Sequence, residues 1–470
     1  MDFRTTTVEA LVGQVRERRL SARELTEAAL ANIEATNPRL NAVCAVDPKR
    51  ALAEAEAVDA RLAKGDAVGP LAGIPLLVKD LEDAAGYKTT YGSALHQEAA
   101  PARGDSVLVG RLKAAGCVVI GKANTPAFGF KALTENIPFG VTRNPWNPDY
   151  HAGGSSGGSA SALAAGVTPL ATGSDGGGSI RIPAAVCGFS GIKCSQGQAP
   201  NGGPNAPGSG VLAVKGPMAL RVRDTALALD AVRGAEPTDP YSLPSDGSSW
   251  RRALDGDNRP RKVIWSPTLG FAHVDDEVLA HAQAVVDELA AAGVEVVRKD
   301  KVWDESPNLA WFVIWAAQRA RAQGHLKGTA DWEKIDADLR DQIEAGLGYG
   351  AAAYAQSLDL AHALAYRLNE AMEDADVLIT LTLAGHPPKI GGQGMINGQP
   401  SGAEWVQFTP AINMTRNPAG SAPIGLSSLG LPLALQVIGR QKGDVAVLKT
   451  LCFLEDLTDP KFAAPHGVSA

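Results

Sequence analysis

The sequence predicts an α/β fold in which helices layer a substantially parallel sheet. Three observations predict it. Short apolar runs of strand length alternate with helical patterns along much of the chain. Apolar residues make up 45% of the 470 and charged residues 20%, which allows a large core and argues against disorder. Glycine, at 51 residues, exceeds the average of about 7%, and many glycines crowd positions 153–210. Such local enrichment marks backbone that turns sharply or runs close to a ligand.

The elements follow in order. Residues 1–65 read as a helical cover, with capping-box signatures at Thr6/Glu9 and Ser21/Glu24. Ile74 to Val78 is a buried strand ending in Lys79, Ser106 to Ala115 a helix, and Cys117 to Ile120 a strand. Gly157 to Ala165 is a small-residue helix that packs closely, and Val167 to Thr172 a short strand. The block 66–220 is expected to form the central core that carries the chemistry, and 234–258 reads as a surface insertion. Lys262 to Trp265, Glu277 to Ala292 and Val294 to Val297 give strand, helix and strand. Residues 308–376 are mostly helical and are expected to border a pocket. Tyr354, Leu358, Ala361, Ala365, Leu368 and Met372 mark an apolar face there. Strands at Val377 to Leu381 and Leu433 to Ile438 flank a Gly/Pro-rich loop at 384–402. No internal repeat or domain break is visible, so the chain reads as one domain over 1–470.

Composition removes several function classes. A net charge of −7 provides no electrostatic reason to expect nucleic acid or an anionic membrane. No run reaches the roughly 18 apolar residues of a spanning helix. Met1 to Thr5 is not a basic stretch leading into an apolar run, so a signal peptide is not expected and the cytoplasm is. Cys44, Cys117, Cys187, Cys194 and Cys452 are scattered without CxxC spacing, so neither a disulfide framework nor a zinc site is expected. The glycine runs contain no nucleotide-binding fingerprint. Neither metal nor cofactor is called for.

Three segments carry the chemistry: Gly73-Ile74-Pro75-Leu76-Leu77-Val78-Lys79-Asp80, Gly153-Gly154-Ser155-Ser156-Gly157-Gly158-Ser159-Ala160, and Gly173-Ser174-Asp175-Gly176-Gly177-Gly178-Ser179-Ile180-Arg181-Ile182-Pro183. A lysine after an apolar strand is most often a surface cation with its stem laid on the protein. Buried, it loses solvation, its pKa falls, and it can act as a neutral base. Glycine runs are often plain linkers. Gly176, Gly177 and Gly178 can instead aim several N–H groups at one point, as an oxyanion hole requires, beside Ser179. Rival motifs overlap. Gly154 to Gly158 fits the G-x-S-x-G elbow of α/β-hydrolases, with Ser156 as nucleophile. Ser190 to Lys193 fits S-x-x-K but lacks that motif's partner sequences.

Together the three segments resemble those of the amidase signature hydrolases. Their order matches, and so does the 24-residue separation of Ser155 and Ser179. Gly121 to Pro126, Phe139 to Trp146 and Gly430 to Gln436 are similar to further family segments, so the resemblance runs from about 5 to 455. It implies a single α/β/α domain with a mixed central sheet. It implies a Ser–cisSer–Lys triad with Ser179 as nucleophile, Ser155 as bridging serine and Lys79 as base. It also implies an oxyanion hole from the N–H groups of Gly176, Gly177, Gly178 and Ser179, supported by Ser156, Asp175 and Arg181.

The sequence departs from the family at Ala127, where relatives often carry Glu, and after Lys193, where Cys194 to Gln198 replaces a common K-P-T/S-x-G-R. The loops at 196–210 and 385–402 are therefore expected to border the acyl pocket and set specificity. His386 is expected to be a packed or surface histidine more than a pocket residue. Trp311 and Trp315 suggest core or a pocket wall. The expected function is hydrolysis of C–N bonds in amides through an acyl-enzyme. Aryl amides, anilides (an aryl acylamidase) or carbamates (a urethanase) are the substrate classes in view. The family rival is the amidohydrolase component of a glutamyl-tRNA amidotransferase, which depends on partner proteins. It is disfavoured because Gly385 to Pro410 offers only Glu404 as an acid. The expected partner is a small amide or carbamate, and a homodimer stays open.

Overall fold

A computed structural model describes residues 1–204 and 210–468. Its strands are β1 (Val43–Val46), β2 (Pro75–Lys79), β3 (Val118–Ala123), β4 (Leu170–Asp175), β5 (Ile192–Lys193), β6 (Val214–Met218), β7 (Lys262–Trp265), β8 (Glu295–Arg298), β9 (Val377–Leu381), β10 (Met395–Ile396), β11 (Gln399–Pro400), β12 (Ala419–Leu426) and β13 (Pro432–Ile438). Its α-helices are α1 (Val8–Arg16), α2 (Ala22–Leu40), α3 (Pro48–Lys64), α4 (Val107–Ala114), α5 (Gly157–Ala164), α6 (Arg181–Cys187) and α7 (Val222–Val232). They continue with α8 (Asp276–Ala291), α9 (Asn308–Gln323), α10 (Ala337–Gly348), α11 (Ala351–Met372), α12 (Thr409–Thr415) and α13 (Asp444–Thr458).

Two mixed sheets carry the fold. One has the order β1-β3-β2-β4-β6, with β2 parallel to β3 and β4 and antiparallel strands at both edges. The other runs β5-β12-β13-β9-β7-β8, parallel across β9, β7 and β8 and antiparallel elsewhere. The expected central sheet is thus two hydrogen-bonded sheets, which approach each other where β5 runs near β6. A single apolar cluster from Phe3 to Leu454 fills both halves.

The helical cover forms α1 to α3. Ser21 and Glu24 close the capping box of α2, whereas α1 is capped by Thr7, whose side chain accepts from the Ala10 N–H. The strand expected at 167–172 begins at Leu170 and runs through the polar motif to Asp175. Gly173, Ser174 and Asp175 pair with β6 through backbone alone. That ladder delivers the glycine loop to the sheet's end. The start of α5 runs close to the backbone just beyond β3 because of Gly158, where a Cβ would stand 2.4 Å from the Asn124 nitrogen. The apolar face of α11 keeps Tyr354, Ala361, Leu368 and Met372 of the expected set but not Leu358. Ser357, Leu364, Leu368 and Met372 are buried, while Leu358 stays 37% exposed. Among the described residues no helix is long and apolar enough to cross a membrane.

Candidate active site

Lys79 ends β2, a strand whose five residues are all buried. Of the fully buried lysines 79, 122 and 193, only Lys79 meets serine hydroxyls among the described residues. Its Nζ lies 2.8 Å from Ser155 Oγ, 2.8 Å from Ser156 Oγ and 3.0 Å from Ser174 Oγ. Lys122 is held by Asp80, and among the described residues Lys193 Nζ donates to the Cys194 carbonyl. Burial pushes the Lys79 pKa down to about 7, against the pull of Glu82 and Asp175 toward the charged form. An ammonium would donate to all three hydroxyls. A neutral amine donates to two and accepts from the third. Ser156 Oγ contacts the Ser174 carbonyl at 3.3 Å, which leaves Ser155 or Ser174 to donate to nitrogen.

Ser155 follows a cis peptide bond from Gly154. The next residue donates its N–H to the Ser179 carbonyl at 3.2 Å, which ties the two serine loops together. Ser179 lines a cavity with an aromatic wall. Among the described residues no hydrogen bond joins Ser179 Oγ to Ser155. Hydrogen bonds of this kind are often open without substrate and tighten on binding.

The loop between Asp175 and Ser179 is pinned carbonyl by carbonyl. The Asp175 carbonyl accepts from Asn413 Nδ2 (2.8 Å), Gly176 from Trp311 Nε1 (3.0 Å), Gly177 from Thr409 Oγ1 (2.7 Å) and Gly178 from the Ile182 N–H (2.6 Å). Across a trans peptide the N–H points opposite to the C=O. Each pinned carbonyl therefore aims the following N–H. Among the described residues the N–H groups of Gly176, Gly177 and Ser179 have no partner in the chain. The Gly178 N–H does: it donates to Asp175 Oδ1 at 2.7 Å. Of the N–H groups expected to form the hole, that of Gly178 is thus already used, because Asp175 turns back to cap its own loop. A Cβ on Gly177 would stand 2.5 Å from the Trp311 ring, so only glycine fits beneath the indole.

Asp175 is fully buried against Arg181 in a two-point ion pair of 2.9 and 2.8 Å. Burial opposes its charge, but Arg181 overrides that and, with the Asn413 amide, holds the carboxyl well below the usual range. Arg181 also donates to Asn413 Oδ1 and Gln436 Oε1.

The cavity at Ser179 holds about 310 Å³. Ser179 and Gly177 form its floor, Gly129 to Ala132 one side, and Trp311, Phe312 and Trp315 of α9 the opposite wall. Trp311 and Trp315 stack with centroids 5.1 Å apart. Its only charged lining residue, among those described, is Lys131, which is paired with Glu135 (2.7 Å) and Asp338 (3.0 Å).

Comparison with known proteins shows the family. The amidase family model matches residues 24–448. The chain belongs to the amidase family. It is 34% identical over 466 residues to an acylamidase of Rhodococcus erythropolis, which covers 95% of this chain and 94% of that one. It is 33% identical over 494 residues to the A component of the glutamyl-tRNA(Gln) amidotransferase of Thiobacillus denitrificans, covering 98% and 99%. The crystal structure of a bacterial aryl acylamidase of the amidase signature family superposes with a TM-score of 0.91 at 29% identity, covering 99% of each chain. The molecule is an amidase signature hydrolase that acts on amide C–N bonds.

In this amidase the cavity wall differs from the one expected. The loop 385–402 does not line it; Ala403, Val406, Gln407 and Pro410 do. Part of the loop 196–210 lies outside the described residues, and Asn201 within it lines a separate cavity of about 200 Å³. His386 is packed, with Nε2 3.6 Å from Asp275 and 3.5 Å from Glu277. Trp311 and Trp315 are pocket wall. Ala127 sits in an apolar cluster with Ile335, Leu339 and Ile343, where α10 leaves no place for a carboxylate. Ser174, Gly129 and Gln342 went unnoticed in the sequence. Ser174 stood inside a quoted motif as the residue before Asp175. Nothing local marks Gly129 or Gln342, which reach the site through long-range packing.

Proposed function

We propose that this amidase is a serine hydrolase of bulky, neutral aryl amides, anilides or aryl carbamates. Ser179 Oγ attacks the carbonyl carbon. Its proton passes to Ser155 as the proton of Ser155 passes to neutral Lys79. The relay then reverses to protonate the leaving nitrogen, the C–N bond breaks, and the amine departs from an acyl-enzyme. Water attacks that ester by the same relay and releases the acid. The N–H groups of Gly176, Gly177 and Ser179 hold the developing oxyanion. Ser156 holds Lys79 in place, and Asp175 with Arg181 holds the loop.

The observation that carries this reading is the buried Lys79 amine bonded to Ser155 and Ser156, behind a cavity floored by Ser179. Ser156 itself is fully buried, which counts against an esterase built on it. The substrate class rests on the aromatic wall and on a lining whose one charge is already paired. Such a wall supports an apolar substrate over glutamine, whose α-amino and carboxylate groups need charged partners.

The test ranks the serines. Ser179→Ala and Ser155→Ala are each expected to cost several orders of magnitude in kcat on an aryl anilide, and the double variant little more. Ser156→Ala loses a supporting hydrogen bond of about 1 kcal/mol and is expected to be milder. A sulfonyl fluoride is expected to label the Ser179 peptide. Label on Ser156, or normal turnover by the Ser179→Ala protein, overturns the assignment.

A further inference from the structure

One polar group in the cavity wall has its orientation dictated by chemistry. Gln342 of α10 lies 3.0 Å from the indole nitrogen of Trp315. An indole N–H can only donate, so the atom facing it is Oε1, and this settles which way round the carboxamide sits. Its Nε2 then carries two N–H donors. Among the described residues it meets no acceptor, and the residue lines the substrate cavity.

Outside the catalytic loop, the other polar side chains of the lining have partners for their donors. Asn308 Nδ2 donates to the Gln407 carbonyl (3.1 Å), while its Oδ1, an acceptor and not a donor, is buried without a partner among the described residues. Gln407 Nε2 donates to the His273 carbonyl (2.8 Å), and Lys131 is ion-paired. Gln342 thus presents a free donor on a wall otherwise built of Trp311, Phe312, Trp315, Ile182 and Val406. A donor of fixed orientation in an apolar cavity discriminates, because a ligand without an acceptor strips its water and replaces it with nothing.

Building on the reading of this cavity as the substrate site, we propose that Gln342 determines specificity. Its carboxamide NH2 donates to an oxygen acceptor, an ether, carbonyl or nitro oxygen, carried on the body of the substrate away from the scissile bond. The substrate class narrows to oxygen-substituted aryl amides and carbamates.

The experiment uses near-isosteric pairs that differ by O against CH2, on both halves of the substrate: a 4-methoxyanilide against a 4-ethylanilide, and a methoxyacetyl anilide against a butanoyl anilide. The ratio of kcat/KM within each pair is measured for the native enzyme, Gln342→Met and Gln342→Glu. Intrinsic reactivity is the same in all three proteins and cancels. In at least one pair the oxygen partner is expected to gain about fivefold to tenfold in the native enzyme relative to Gln342→Met. In Gln342→Glu, which keeps an acceptor for Trp315 but repels the oxygen, the ratio is expected to fall below that of Gln342→Met. Ratios unchanged across the three proteins overturn the proposal, as does an equal loss for both partners, the mark of a merely structural role. Labelling of Ser179 by the sulfonyl fluoride in each variant shows that the site is intact. Its failure in the native protein would instead count against the catalytic reading.

Discussion

Lys79 sets the pH dependence. The base must be neutral, and burial brings it down to about 7. Below that value the amine is protonated and cannot accept from Ser155. We therefore expect kcat/KM to fall tenfold per pH unit below about 7 and to level off above it. A pH–rate profile flat down to about pH 5 contradicts a lysine base. Linkage has its own sign. Between about 7 and the ordinary lysine value of 10.5 the folded chain holds less proton on this amine than the unfolded chain. This group therefore makes stability rise with pH across that window. At this scale the sequence was most informative, because Lys79, Ser155 and Ser179 stand in dense local motifs. The same motifs did not show that Gly178 spends its N–H on Asp175, since that depends on a turn of the chain. Nor did they show that Gln342 faces Trp315, since that contact joins residues 27 apart.

Among the elements, α9 does more than wall the cavity. Trp311 holds the Gly176 carbonyl and so aims the Gly177 N–H. Trp311→Phe keeps the ring's bulk over Gly177 but loses that bond. The expected result is a fall of about tenfold in kcat, with little change in KM or in thermal midpoint. Loss of binding with kcat intact would show that the indole serves only as wall. The elements also show where periodicity reads well and where it fails. β2, β7 and β9 are compact apolar runs and stood out. β12, Ala-Gly-Ser-Ala-Pro-Ile-Gly-Leu, did not, because its central place comes from pairing with β13 and β5 and not from its own side chains. The loop 385–402 does not line the cavity, for a related reason. Glycine and proline mark loops, but the cavity is walled largely by aromatic side chains on a helix.

Across the whole molecule, the Asp175–Arg181 pair is a fastener between the two sheets. Asp175 ends β4 in one, Gln436 lies in β13 of the other, and Arg181 of α6 and Asn413 of α12 join them. Arg181→Met would strand a buried carboxylate, and the expected cost is about 3–5 kcal/mol. Adding Asp175→Asn removes the stranded charge and is expected to restore part of that loss. Denaturant unfolding of the two proteins checks it. A double variant no more stable than the single one would mean that the pair matters through packing and not through charge.

The carbonyl-pinned loop has a consequence for how such an enzyme can diverge. What stabilises the reaction is written in main-chain atoms, which substitution of neighbouring side chains cannot delete. What selects the substrate is written in wall side chains such as Phe312, Gln342 and Val406, which hold none of the loop's carbonyls and which substitution can rewrite. The two are inherited as separate traits. A lineage can therefore drift from one amide to another through the wall alone, with the hydrolytic apparatus carried along unaltered as ancestral stock.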